Sequence, residues 1–149
     1  MRQLQQSTIF VRPCSEDDIA VLEDRLGLRL PDAYKEFLRW TGSGGELFGG
    51  YRFKVTNVPF NREDAIETLH EDSSSEVLPE DAIVCFLQQG GYAFAFIRAS
   101  EGVDPPVHYY LPVRTSPNSP LESKIVWNHS SNLEEFCLEK INWFIKVSS

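Results

Sequence analysis

The stretch Leu26-Gly27-Leu28-Arg29-Leu30-Pro31-Asp32-Ala33-Tyr34-Lys35-Glu36-Phe37-Leu38-Arg39-Trp40-Thr41-Gly42 constrains the fold more than any other part of this chain. It spells out two helices and the joint between them. Gly27 can take a left-handed backbone and end the first helix. Pro31 has its φ preset for a first helical turn, and it lacks an N–H that would go unpaired there. Tyr34, Phe37, Leu38 and Thr41 then fall at i, i+3, i+4 and i+7, one face of a second helix. Gly42 ends it. So short a joint makes the two helices spatial neighbours. Gly27, Leu30, Pro31, Tyr34, Phe37, Leu38 and Gly42 are therefore read as a structural motif. Nothing in the stretch is chemistry.

The flanking sequence extends this pattern. Residues 7–12 read as a possible edge strand. Ser15 is a hydroxyl N-cap followed by Glu16, Asp17 and Asp18, acids suited to the positive end of a helix. Ile19, Leu22 and Leu26 supply that helix's inner face. The glycine-rich run from Thr41 to Gly50 follows a helix, contains Glu46 and lacks the Lys-Ser/Thr ending of a phosphate-cradling loop. It is read as a tight irregular turn. Residues 51–58 alternate, with Tyr51, Phe53 and Val55 facing one way, which predicts a half-buried strand. Asn61 with Asp64 resembles a capping box for an acidic helix anchored by Ile66 and Leu69.

From Leu78 the chain reads as strands. The apolar run 82–87 predicts an interior strand, and Gln88-Gln89-Gly90-Gly91 a hairpin connection. In 92–98, Tyr92, Phe94 and Phe96 share one face and Ala93, Ala95 and Ile97 the other, so both faces are expected to be covered. Residues 107–111 and 124–128 give two more strands, and the Pro- and Ser-rich 112–121 a loop. Asn132 with Glu135 caps a last helix with an apolar face of Leu133, Phe136, Cys137, Ile141 and Phe144. Helices, then mainly antiparallel strands, then a helix argue for an α+β fold. With 149 residues, 42% of them hydrophobic, one domain over 1–149 with a core spanning about 15–146 is expected.

Charge and cysteine usage narrow the function. From Asn61 to Asp81 there are eight acids against Arg62 alone, −7 of the chain's net −8. Such a face repels phosphate, which disfavours direct nucleic-acid binding. No apolar run is long enough to cross a membrane. The first seven residues lack a signal-peptide apolar region. Cys14, Cys85 and Cys137 are odd in number and widely spaced, neither a disulfide framework nor a zinc knuckle. Together these features lead us to expect a cytoplasmic protein with no metal and no cofactor. His70, His108 and His129 are isolated from other ligands, and no Gly-x-Ser-x-Gly elbow occurs. No catalytic residue is assigned. The acids at 63–72 lie at helical spacing on an exposed face, which does not separate carboxyl pKa values as acid–base catalysis needs.

Ser15-x-x-x-Ile19, Glu23, Leu26-Gly27, Leu30-Pro31-x-x-Tyr34-x-x-Phe37-Leu38 and Gly42 together resemble the leading motif of the SUKH superfamily. Its members are similar to the yeast Smi/Knr regulators of cell-wall synthesis. Leu78-Pro79-Glu80-Asp81, Gly90-Gly91-Tyr92, Val107-His108-Tyr109-Tyr110 and Ser131-Asn132-Leu133-Glu134-Glu135-Phe136 extend the likeness over about 15–145. Thr41-Gly42-Ser43-Gly44-Gly45 and Gln88-Gln89 depart from the family's usual pattern. The resemblance implies a single domain: a curved, mainly antiparallel sheet of about four to six strands with the N-terminal helix pair and the C-terminal helix packed on it. It implies no catalytic residues. Bacterial members are regarded mostly as immunity proteins that bind and neutralise a toxin, often a nuclease; fungal members act as regulatory interaction modules.

Two binding modes follow. In one, Glu63, Asp64, Glu67, Glu71 and Asp72 attract a basic toxin domain. In the other, Tyr92, Phe94 and Tyr109 line a concave face that takes a peptide or protein. An enzyme or small-molecule binder is the third alternative, because a fold can host a grafted site. Oligomeric state is not legible.

Overall fold

A computed structural model describes residues 11–45, 48, 50–72, 74–88, 93–111 and 124–148, with side chains of the last helix as far as residue 142. The elements run β1 Val11–Arg12, α1 Glu16–Leu26, α2 Asp32–Thr41, β2 Gly44–Gly45, β3 Tyr51–Arg52, α3 Val58–Glu71, β4 Ala82–Gln88, β5 Phe94–Arg98, β6 Val107–Tyr110, β7 Ile125–Ser130 and α4 Leu133–Ser148. β1 and β2 pair as a small ribbon. β3 to β7 form one sheet in chain order, every pair antiparallel. The fold is α+β. Residues 7–10 of the expected edge strand, residues 89–91 of the expected hairpin connection, Tyr92, the segment 112–121 expected as a loop and the Phe144 side chain lie outside the described residues.

The helix joint forms as its residues dictate. Ser15 and Asp18 make a reciprocal capping box at the start of α1: the Asp18 N–H donates to Ser15 Oγ at 3.1 Å, and the Ser15 N–H to Asp18 Oδ2 at 3.2 Å. Gly27 ends α1 at φ 65°, a left-handed backbone that few other residues adopt cheaply. Glu23 then spans the joint, its carboxylate accepting the Leu30 N–H at 2.9 Å. Pro31 precedes α2 as its N-cap rather than sitting inside its first turn. Its carbonyl accepts the N–H groups of Tyr34 and Lys35, both at 3.0 Å. Tyr34, Phe37, Leu38 and Thr41 are fully buried.

The sheet is covered on both faces, by different helices. On one face α1, α2 and α4 pack Leu22, Phe37 and Phe136 against Ile83, Cys85, Phe86, Ala95, Ile97 and Tyr109. On the other, α3 packs Ala65 and Leu69, with Leu78, against Val84, Phe94, Phe96, Tyr110 and Ile125. The aromatic centre of the larger core is Phe86, whose ring lies 5.4 Å from Phe37, 5.1 Å from Phe48 and 5.2 Å from Phe136. A β-bulge places it there. Ile83 pairs with Ile97 but Phe86 with Ala95, so β4 carries one extra residue between them. Cys85 and Phe86 consequently share a face.

Three local readings need correction. The strand expected over 51–58 is only Tyr51–Arg52. Beyond it the Val55 N–H donates to Gly42 O at 2.8 Å and a turn over 55–57 leads into α3, although Phe53 and Val55 are buried as the alternation requires. Asn61 does not cap α3, which starts four residues earlier behind Asn57. Asn61 is instead buried, its amide donating to Arg52 O and Val84 O, both at 3.1 Å. Ile66 faces outward, 38% exposed, while Ala65, Thr68 and Leu69 supply the inner side.

Candidate functional site

α3 is set apart because it covers its sheet face without the other helices. Its inner residues Val58, Asn61, Ala65, Thr68 and Leu69 are buried, and its outer surface carries Phe60, Glu63, Glu67, His70 and Glu71. Glu63, Glu67 and Glu71 follow one another at i, i+4 and i+8, a straight line of carboxylates on a helix surface. Like charges at that spacing destabilise a helix by about 0.2–0.5 kcal/mol per pair. Glu71 also lies at the negative end of the helix dipole, where an acid is unfavourable. Among the described residues no cation pairs with these three.

The other two acids of the expected set serve the fold. Arg52 on β3 donates from Nη2 to Asp64 Oδ2, and from Nε and Nη2 to Asn61 Oδ1 at 3.1 and 3.0 Å. This fork ties the start of the sheet to the middle of α3. Asp72, which follows α3, accepts the hydroxyl proton of Tyr110 on β6. Asp81, at the far end of the acidic segment, accepts Arg98 Nε at 2.9 Å and the Ser100 N–H at 3.0 Å. Its burial opposes ionisation, but the bonds from Ser100 and Arg98 outweigh it and hold the carboxyl at about 2. The acidic segment is thus two populations, one wired into the sheet and one aimed at solvent.

The structure also separates the aromatic residues. Phe94 is fully buried on the α3 face, stacked on Tyr110 at 5.1 Å. Tyr109 is buried on the opposite face, where its hydroxyl lies 2.9 Å from that of Tyr51 and its ring stacks on His129 at 5.2 Å. Phe94 and Tyr109 therefore do not line one concave groove. Their strands place them on opposite sides of the sheet. Tyr92 lies outside the described residues. Gly27, Leu30, Pro31, Tyr34, Phe37, Leu38 and Gly42 all sit at the α1–α2 joint or along α2, away from the α3 surface.

Among the described residues, no His, Cys, Asp and Glu side chains form a group of three or more that could hold a metal ion. His108 is buried and committed: the Asn128 N–H donates to its Nδ1 at 2.9 Å, so Nε2 carries the proton and donates to Glu101 at 2.6 Å. Burial pushes the Cys14 thiol up to about 11 and the Cys85 thiol up to about 12, and raises Cys137 as well. Such thiols are poor nucleophiles at neutral pH. No helix among the described residues is long and apolar enough to cross a membrane.

The sequence model of the SMI1 / KNR4 family (SUKH-1) matches residues 13–136, from just after β1 into α4. This chain belongs to that family. The match takes in the α1–α2 joint, all of α3 and every strand of the five-stranded sheet. No curated protein matches the chain. Within the SUKH-1 chain, sequence reasoning missed two surface features. Phe60 is half-exposed beneath the Arg25 guanidinium, whose carbon lies 5.3 Å from the ring centre. Val77 is 80% exposed beside α3. Each is a single exposed apolar residue that no periodic pattern in the sequence distinguishes.

Proposed function

We propose that this SUKH-1 protein is a non-catalytic binding module of the immunity type, which neutralises a toxin domain by capping its basic surface with the outer face of α3. The observation that carries this reading is the line Glu63, Glu67 and Glu71. It costs the helix stability and has no partner among the described residues. A feature of that kind is explained by an external cation-rich surface. Opposite fields would speed encounter and fix orientation. A nuclease, which must itself hold phosphate with Lys and Arg, is the toxin chemistry that fits best.

The test is to co-express the chain with a panel of nuclease toxin domains, those encoded beside SUKH-1 genes among them, and to measure growth and binding. Growth rescue is expected, with an affinity that falls at least about tenfold between about 50 and about 500 mM salt. Replacing Glu63, Glu67 and Glu71 by Lys together is expected to weaken binding at least about 100-fold, mostly through slower association. Unchanged affinity in that triple variant would refute the α3 mechanism.

A further inference from the structure

A pocket of about 290 Å³ opens beside the acidic line, between the second half of α3 and the segment 74–78. Ile66, Leu69, Val77 and Leu78 supply its apolar lining, and His70 and Glu76 add polar edges. Leu69 and Leu78 are buried members of the core on this sheet face, so the floor is fixed. Ile66 and Val77 are exposed.

The walls are held open by bonds from both ends of the segment. The Ser74 N–H donates to Leu69 O at 2.9 Å, and the Glu76 N–H to Ser74 Oγ at 3.1 Å. Arg62, one turn before Ile66 on α3, donates from Nη1 to Pro79 O at 3.1 Å and Ala82 O at 3.0 Å. A concavity tied down in this way does not have to be ordered when something enters it, and preorganisation raises affinity. Its volume lies at or below the small end of ligand sites, close to one large side chain rather than a cofactor.

We infer that this pocket anchors a single large apolar side chain, flanked by Lys or Arg, on the basic protein partner; the inference rests on the protein-binding reading above. The charge around the pocket selects that occupant. Glu63 and Glu67 stand on either side of Ile66 along the helix, Glu67 and Glu71 on either side of His70, and Glu76 lies at the rim. An acidic segment would be repelled, and an uncharged one would leave the carboxylates without partners. A buried apolar anchor within a polar rim is the arrangement in which a few residues dominate binding.

The experiment titrates the isotope-labelled full chain with three blocked pentapeptides while methyl and amide resonances are followed. The first is Lys-Lys-Trp-Lys-Lys, the second has Ala in place of Trp, and the third has Glu in place of every Lys. The Lys/Trp peptide is expected to shift the methyls of Ile66, Leu69, Val77 and Leu78. It should bind at least about tenfold tighter than the Ala peptide, and the Glu peptide should not bind. Val77→Asp and Ile66→Asp change exposed positions, so the remaining spectrum should hold while the preference for Trp disappears. Equal binding of the two Lys peptides would overturn the pocket and leave the acidic surface standing. Failure of both to bind would count against both readings. Shifts centred elsewhere, or binding of the Glu peptide, would overturn the anchor.

Discussion

The Tyr110 hydroxyl donates to the Asp72 carboxylate, joining β6 to the residue that ends α3. One of the most acidic-looking positions in the sequence is therefore a structural acceptor. Tyr110→Phe keeps the ring stacked on Phe94 and removes only the donor. It is expected to cost about 1.5–3 kcal/mol in urea unfolding, as hydrogen bonds to charged groups do, with faster amide exchange over 69–72. An unchanged unfolding midpoint would contradict this role.

The two acidic populations are expected to part company under charge reversal. Glu63, Glu67 and Glu71 are exposed and repel one another along the helix, so reversing one of them to Lys is expected to leave stability unchanged or to raise it, by up to about 1 kcal/mol at either end of the line and up to about 2 kcal/mol at Glu67. Asp64→Lys places a cation against Arg52 and leaves its guanidinium without a carboxylate; about 1–2 kcal/mol should be lost. Thermal melts of the four single variants at low salt decide the matter. The idea fails if Asp64→Lys melts with the other three.

Asp81 sets a pH dependence whose sign is fixed by its lowered pKa. A carboxyl held at about 2 in the folded chain, against 3.8 ordinarily, stabilises the fold above the ordinary value. That contribution is lost as pH falls through the folded value. The stability gap between the native chain and Asp81→Asn should be about 1 kcal/mol near neutral pH, allowing for solvent screening. It should narrow between pH 3.8 and about 2. A gap that stays constant on acidification would show that another group carries the effect.

Gly42 has an ordinary helical φ of −64°, so its constraint is steric. A Cβ there would lie 2.8 Å from Cys14 Sγ and 2.6 Å from Leu38 O. Gly42→Ala is expected to cost about 2 kcal/mol, within the range for overpacked sites. Removing the sulfur with Cys14→Ala should recover only part of that cost, because the Leu38 backbone remains. A double-mutant cycle by urea unfolding measures the coupling, and full recovery would place the whole clash on the thiol.

The parts of this fold that were legible in the sequence are those decided locally. Gly27, the Ser15–Asp18 box, and Asn132, whose Oδ1 accepts the Glu135 N–H at 2.8 Å, each act on residues within a turn of themselves. Asn61 shows where local reading ends. It has the residue type and the Asp three positions later that a capping box needs, but Arg52 on β3 and Val84 on β4 claim it from two other elements. The same reason hid the division of the acids, since Arg52, Arg98 and Tyr110 reach them from other elements. For the aromatics, alternation put Phe94 and Phe96 together correctly. Whether Tyr109 or Tyr110 joins them depends on register, and a one-residue slip exchanges the two. The pairing of Phe94 with Tyr110 settles it.

The bulge in β4 gives that strand slack in its length. With Cys85 removed, Ile83 and Phe86 would still point to the larger core and Ala82, Val84 and Leu87 to the smaller one, because the deletion would iron the bulge flat. β5 has no such spare residue: Phe94, Ala95, Phe96 and Ile97 alternate without interruption. Losing Ala95 would turn over everything that follows in the strand. Two neighbouring strands of one sheet thus differ sharply in the deletions they can survive, and lineages of this chain can shorten at one and not at the other.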